Sequence, residues 1–335
     1  MATEAAGQAR PLWRRLGWPH SSSPLARLAP TFIALIVAVA AISIYNPLFL
    51  SGANMGRLAT LSAIPVLLSV GATFVILMGS IDLSVQGVIA LSATIAAMVL
   101  RFDPGPFGSV MAVLAAVFVG FATGAVSGLL HTLLRIPSFM VTLGMWFVSA
   151  GLATLLLGGG TIAVRNADIR TLIVTRILGL PLSVWITILI IALAALVQAR
   201  TRFGRHVMAI GGNEAIAVMA GLPILRTRAM VFAIAGAFYG LAAALAVAQL
   251  GQGNVDIGEG RLFTTITAVV LGGTSLSGGV GGVLNSVLGV LLVTVLSNGM
   301  ILLGVPPYLQ QAVLGALIII AVASSTARKR EGICK

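Results

Sequence analysis

Apolar positions fall into eight long uncharged runs, at 28–56, 58–81, 83–100, 104–134, 136–164, 177–199, 229–255 and 262–327. Crossing a hydrocarbon core takes roughly 20 helical residues. Each of the first seven runs therefore predicts one crossing. The last, 66 residues long, has room for three joined by tight turns. The pattern predicts an all-α integral membrane protein of about ten transmembrane helices. Residues 1–27 form a polar N-terminal arm, 28–327 the transmembrane domain and 328–335 a basic tail. One long polar island, 199–228, stands between the runs.

Composition agrees with this class. At 59% hydrophobic and 8% charged residues, with a mean hydropathy of +1.09, a soluble domain is excluded. Loop charges test the helix count. Ten crossings with a cytoplasmic N-terminus place fourteen basic residues inside: Arg10, Arg14, Arg15, Arg27, Arg135, the island's five arginines, Arg328, Lys329, Arg330 and Lys335. Six fall outside: Arg57, Arg101, Arg165, Arg170, Arg176 and Arg261. That bias is the one that sets topology during insertion, and it puts both termini and the island in the cytoplasm. The net charge of +12 is accounted for by these basic flanks and calls for no nucleic acid. The single cysteine, Cys334, forms no internal disulfide. Arg14-Arg15 lies too far ahead of an overlong apolar run for a cleaved leader, so a retained first helix is expected.

Two interruptions break the helical pattern. The first is Met78-Gly-Ser-Ile-Asp-Leu-Ser-Val85; the second, Leu271 to Gly282, holds six glycines in twelve residues. About ten residues separate Arg261 from those glycines, a helical rise of about 15 Å, or half a bilayer. A helix ending there needs its free backbone groups buried in protein or lining a wet cavity. Val75-Ile-Leu-Met-Gly-Ser resembles Val269-Val-Leu-Gly-Gly-Thr, and each is followed closely by Leu-Ser. Paired breaks of this kind predict two five-helix halves as an inverted repeat, with discontinuous helices near 79–85 and 272–282. Gly120, Gly124 and Gly128, and Gly236, Gly240 and Ala244, form small-residue stripes suited to close helix packing.

Nothing in the chain points to catalysis. There is no phosphate-binding loop, both lysines follow residue 328, and His20, His131 and His206 have no carboxylate or thiol at ligand spacing. No metal or cofactor is expected. Asp82, the only charge between Arg57 and Arg101, is a functional suspect by its depth and equally suited to cap the following helix by accepting from the N–H of Ser84 or Val85. The spans otherwise carry neutral polar groups, which suit an uncharged polyhydroxylated solute better than an ion. Many such hydroxyls bond back to their own helix. The candidate path takes Asp82, Ser84 and Gln86 from the first break and Thr274, Ser275 and Ser277 from the second. Asn285 and Asn298 follow.

The island is the sharpest signal. Asn213 can cap a helix from Glu214 to Ala220, with Glu214 in its first turn and Gly221 and Pro223 ending it. Ala215, Val218, Met219 and Leu222 recur at three- and four-residue steps and give a small apolar face. Two turns of helix cannot stand alone, so this one is built for a groove in a partner. Lying flat on lipid headgroups is the competing reading, against which the face is short and lacks Trp or Phe.

At these residues the chain resembles the permease subunits of ribose-type sugar ABC importers, within the group that also holds branched-chain amino-acid permeases. The matching stretches are Gly79-Ser-Ile-Asp-Leu-Ser-Val85, Ile136-Pro-Ser-Phe-Met-Val-Thr-Leu-Gly144, Gly204-Arg-His to Gly211-Gly-Asn-Glu-Ala215, Ala268 to Gly279 and Asn298-Gly-Met-Ile-Leu-Leu-Gly304. The resemblance implies a pore of two permeases, identical or closely homologous. It also implies a periplasmic sugar-binding protein that delivers solute and a cytoplasmic ATPase that grips Gly211 to Pro223. Gln86 departs from the family pattern, which places glycine after Asp-Leu-Ser-Val. The expected function is ATP-driven import of a monosaccharide or similar neutral polyol. The alternative, an ion-coupled secondary transporter, calls for several embedded carboxylates where this chain offers only Asp82.

Overall fold

The computed structural model describes residues 24–317 and Ile319. The expected basic tail, and the expected arm up to residue 23, lie outside them. The first helix, α1, runs Pro24–Tyr45 and so begins inside the stretch assigned to the arm. It is followed by α2 (Gly52–Leu77), α3 (Val85–Phe102), α4 (Pro106–Leu133), α5 (Ser138–Leu157) and a short α6 (Ala167–Val174). Then come α7 (Leu182–Arg200), α8 (Arg202–Gly212), α9 (Glu214–Met219), α10 (Ile224–Leu250), α11 (Arg261–Leu271) and α12 (Val283–Leu302). Residues 307–317 are helical beyond a turn. Among the described residues eight helices are long and apolar enough to cross a membrane: α1 to α5, α7, α10 and α12. α11, with 11 residues, is too short to do so alone.

The helices begin and end where their sequences dictate. Ser51 accepts from the Asn54 amide at the start of α2. Gly158 and Gly251 take the left-handed conformation that closes α5 and α10. The stretch 165–176, read as a loop from sequence, contains α6, because the Asn166 side chain accepts from Ile169 N. Two minimal antiparallel ribbons accompany it: Ile162 opposite Gly253 and Ala163 opposite Gln252, and Arg176–Ile177 against Leu180–Pro181.

α2, α3 and α10 form the interior, while α1, α5 and α7 leave most of their apolar surface exposed. Exposed Phe32, Ile36, Leu114, Phe118, Phe147 and Leu189 on the outer ring are what a lipid-facing surface requires. α4 and α10 cross antiparallel along the two glycine stripes. A Cβ on Gly120 would stand 2.1 Å from the Gly236 carbonyl oxygen, and one on Gly240 2.1 Å from that of Ala116. Only glycine permits that approach.

α10 and α12 both start at the end of the molecule where Gly211 lies, with α11 returning between them. One end of the molecule holds Leu77, Gly211 and Gly279, which meet there; the far end holds Asn46 and Asn54, bonded to Leu302 and Asn298. This corrects one expectation. The similar stretches 75–80 and 269–274 close α2 and α11, and those two helices run the same way and end side by side. Inversion would place the two stretches at opposite ends, so they are not each other's inverted counterparts. The structure adds a limb the sequence did not suggest. Residues 251–254 and a 3-10 turn, Val255–Gly258, run back along α3, with Gly253 against Ala97 and Gly258 against the Gln86 carbonyl, before α11 begins.

Candidate functional site

The first break is built around Asp82. α2 stops at Leu77, Gly79 turns with φ +77°, and residues 80–83 have no regular structure. The buried Asp82 carboxylate accepts from the Ser84 backbone N–H at 2.8 Å and from its hydroxyl at 2.6 Å. Ser84 itself occupies the position before α3. The expected capping role is therefore present in altered form, as a turn two residues long that sets α3 going. The Ile81 and Leu83 amides find the Ser138 and Thr142 hydroxyls of α5 at 3.1 and 3.0 Å. With these partners the non-helical segment does not leave its polar groups orphaned at depth.

The second break is tied down by side chains singled out from sequence. The Asn285 amide donates to the Gly272 carbonyl at 3.0 Å. The Thr274 hydroxyl, buried beside Ser286, accepts from Gly282 N at 3.3 Å. Ser275 and Ser277 share a hydroxyl contact of 2.8 Å nearer the surface. Thr73 of α2 donates to the Ser286 hydroxyl at 2.6 Å, stitching the two breaks together. A chamber of about 110 Å³ lies between them, lined by Ala72, Ile76, Ile81, Asp82, Val85, Ile266 and Leu276.

Of the proposed path residues, the structure brings Asp82 and Ser84 to this chamber or beside it, and places Thr274, Ser275 and Ser277 in the adjoining loop and Asn285 on the first turn of α12. Gln86, half-buried on the first turn of α3, has its backbone against the returning limb at Gly258. Asn298 stands apart: it accepts from Asn54 at 3.1 Å, thirteen residues and about 20 Å along α12 from Asn285. Thr94 and Thr267 bond to carbonyls of their own helices, as anticipated for span hydroxyls. Ile266 and Leu276 were missed, since nothing separates a chamber-lining aliphatic residue from a packing one in sequence. Gln198 was missed as well. Its side chain accepts from Val283 N at 2.8 Å and donates to Gly281 O at 3.3 Å, capping the start of α12. A lone amide in the last turns of an apolar helix was the available signal.

The island folds as its sequence directs. α8 ends at Gly212, and Asn213 turns the chain and accepts from Ile216 N at 3.1 Å to start α9. Gly221, with φ +72°, breaks the chain away, and the Pro223 carbonyl accepts from Thr227 in the first turn of α10. Glu214 pairs with Arg228 at 2.5 Å, which fixes α9 against the base of α10. Ala215, Val218 and Met219 are exposed, Leu222 is half-buried, and Ala217 is the side chain that faces inward. Ile216 belongs with the exposed group. At 63%, 59% and 88% exposure, Ile216, Val218 and Met219 form an apolar surface that no described residue covers.

Among the described residues no group of His, Cys, Asp and Glu is placed to hold a metal. Comparisons with known proteins agree with this architecture. Residues 54–322 match the family described as branched-chain amino acid transport system, permease component. The ribose import permease protein of Escherichia coli K12 is 34% identical over 296 residues, covering 87% of this chain and 91% of that one. That of Bacillus subtilis 168 is 35% identical over 305 residues, covering 90% and 94%. The D-allose transport system permease protein of Escherichia coli K12 is 31% identical over 294 residues, covering 88% and 90%. No solved structure matches. With a match this long and eight apolar spans arranged around two breaks, the chain belongs to the permease-component family of the branched-chain amino acid transport system.

Proposed function

We propose that this chain is the membrane permease of an ATP-driven ABC importer that moves a monosaccharide or similar neutral polyol into the cytoplasm. The observation that carries the reading is α9: a capped two-turn helix whose apolar side chains point away from the protein. That surface is the docking site for a cytoplasmic ATPase, through Gly211, Gly212, Asn213, Glu214, Ala215, Val218, Met219, Gly221 and Pro223. The relatives named for ribose and D-allose support a sugar as cargo, and the absence of charges other than Asp82 around the chamber supports a neutral one. The subunit itself hydrolyses nothing. A second permease copy or close homologue completes the pore, and a periplasmic binding protein supplies the solute.

In this reading the end holding Gly211 is cytoplasmic, as are both termini. α11 and the helix from residue 307 supply the ninth and tenth crossings. The two halves correspond through a different pair of segments. Gly79 and Gly251 each close a long helix with positive φ, and Ile81-Asp82-Leu83 and Val255-Asp256-Ile257 follow them. α2 and α10 run in opposite directions, so this pair has the geometry an inverted repeat requires. Asp82, Ser84 and Gln86 line the path in the first half, with Thr274, Ser275, Ser277 and Asn285 bordering it in the second.

The test is reconstitution. Proteoliposomes holding the permease, its ATPase and the binding protein should accumulate solute only with ATP inside. If the permease alone concentrates solute under an ion gradient, the reading is wrong.

A further inference from the structure

Gly211 sits where both breaks converge. A Cβ there would stand 1.8 Å from the Leu77 carbonyl oxygen and 2.8 Å from Gly279 N. One on Gly278 would stand 2.7 Å from the Gly211 oxygen and 2.8 Å from Gly79 N. The Gly279 N–H donates to the Leu77 carbonyl at 2.8 Å. Three stretches of backbone therefore touch with no side chain between them: the end of α2, the end of α8 and the loop leading into α12. Side chains relay a push by changing rotamer; bare backbone does not yield that way. Directly beyond this contact lie Ile81 and Leu276, two walls of the 110 Å³ chamber. Gln198, in the last turn of α7 before the island, holds the same loop by its two hydrogen bonds to Gly281 and Val283.

We propose that this glycine joint is the inner gate's hinge: α9 pulls on Gly211, and Gly211 moves the two breaks that floor the chamber. Gly211 and Gly278 are positioning residues, and Gln198 keeps the loop in register with α8. The inference rests on the coupling role proposed for 211–223 and adds the route by which movement leaves that segment.

The experiment uses the full transporter with its ATPase, in a Cys334→Ser background carrying Leu276→Cys as a reporter on the chamber wall. N-ethylmaleimide labelling of the introduced thiol is timed with and without ATP, alongside capture of the ATPase by the tagged permease. In the parent, and in a Gly151→Ala control on α5, ATP should change the labelling rate at least about threefold. In Gly278→Ala, whose Cβ would meet the Gly211 oxygen at 2.7 Å, the ATPase should remain bound and hydrolyse ATP while the change falls below about 1.3-fold. Gln198→Leu removes the strap without steric demand; it should weaken the response in the same direction, and it carries the test alone if Gly278→Ala is not recovered folded. A parent that binds ATPase but shows no ATP-dependent labelling overturns the joint and leaves the coupling surface standing. An unchanged response in the recovered variants does the same. A parent that captures no ATPase removes the coupling reading and the joint with it.

Discussion

Gly236→Ala measures how tightly α4 and α10 are joined. A Cβ at this position would lie 2.0 Å from the Gly120 carbonyl oxygen, where real contacts stop near 3.0 Å, so the backbones must part by at least 1.0 Å. That oxygen belongs to a helix, and no rotamer change relieves the clash. The neighbouring rungs are equally close: Gly124 with Phe232 at 2.1 Å and Gly240 with Ala116 at 2.1 Å. Parting one rung therefore loosens the others, and a gap of 0.5–1 Å forfeits about a quarter to a half of the dispersion energy at each contact. Forced overpacking costs about 1–3 kcal/mol, and the top of that range is expected because the obstacle is backbone. At about 2–4 °C per kcal/mol for a chain somewhat smaller than this one, Tm should fall by about 6–12 °C. Detergent-solubilised protein heated in steps and assayed by size-exclusion chromatography gives the number. Gly144→Ala, with nothing within 4 Å of its Cβ, should leave Tm unchanged or slightly higher. A Gly236→Ala protein within about 2 °C of wild type would refute the reasoning, because the seam would then have slack the structure does not show.

Other predictions concern the site. Replacing Val218 and Met219 together by Asp should reduce capture of the ATPase at least about tenfold, since each buried apolar side chain contributes about 1.5–3 kcal/mol. Both are exposed, so the thermal stability of the permease should not move; capture at the wild-type level would remove α9 from the interface. Glu214→Lys breaks the pair with Arg228, and Gly212→Pro disrupts the last turn of α8. Each should abolish uptake and ATPase association in membrane vesicles while membrane insertion, followed by immunoblot, stays normal. Asp82→Asn keeps an oxygen to accept from Ser84 and should retain folding, whereas Asp82→Ala loses both hydrogen bonds and about 1–3 kcal/mol. If Asp82→Asn is as unstable as Asp82→Ala, the charge matters beyond the turn.

Much of this architecture is legible in the sequence because a bilayer leaves few options. Uncharged runs of sufficient length must be helices: α4, α5 and α12 lie wholly inside the predicted runs, and α1, α2, α3, α7 and α10 lie in them for most of their length. The island was equally readable: Asn213, Gly221 and Pro223 are local stop and start signals, and local signals survive into the fold. What failed was long-range correspondence. The likeness of 75–80 to 269–274 reflects two helices that end at one joint, and composition does not record direction. The limb at 251–258 straddles the end of an apolar run, and Gly253 and Gly258 look like any other glycines until α3 is placed against them. The roles of Gln198 and Leu276 depend on which loop lies opposite, and a single sequence does not state that.

The dimensions of the chamber have a consequence for the cell. An engineered hole of about 150 Å³ accepts benzene, with six heavy atoms, and a pentose carries ten. A space of about 110 Å³ walled largely by aliphatic side chains is too small for the sugar. In the proposed role Ile81 and Leu276 must part for each molecule of cargo, and that movement falls to the ATP-consuming partner.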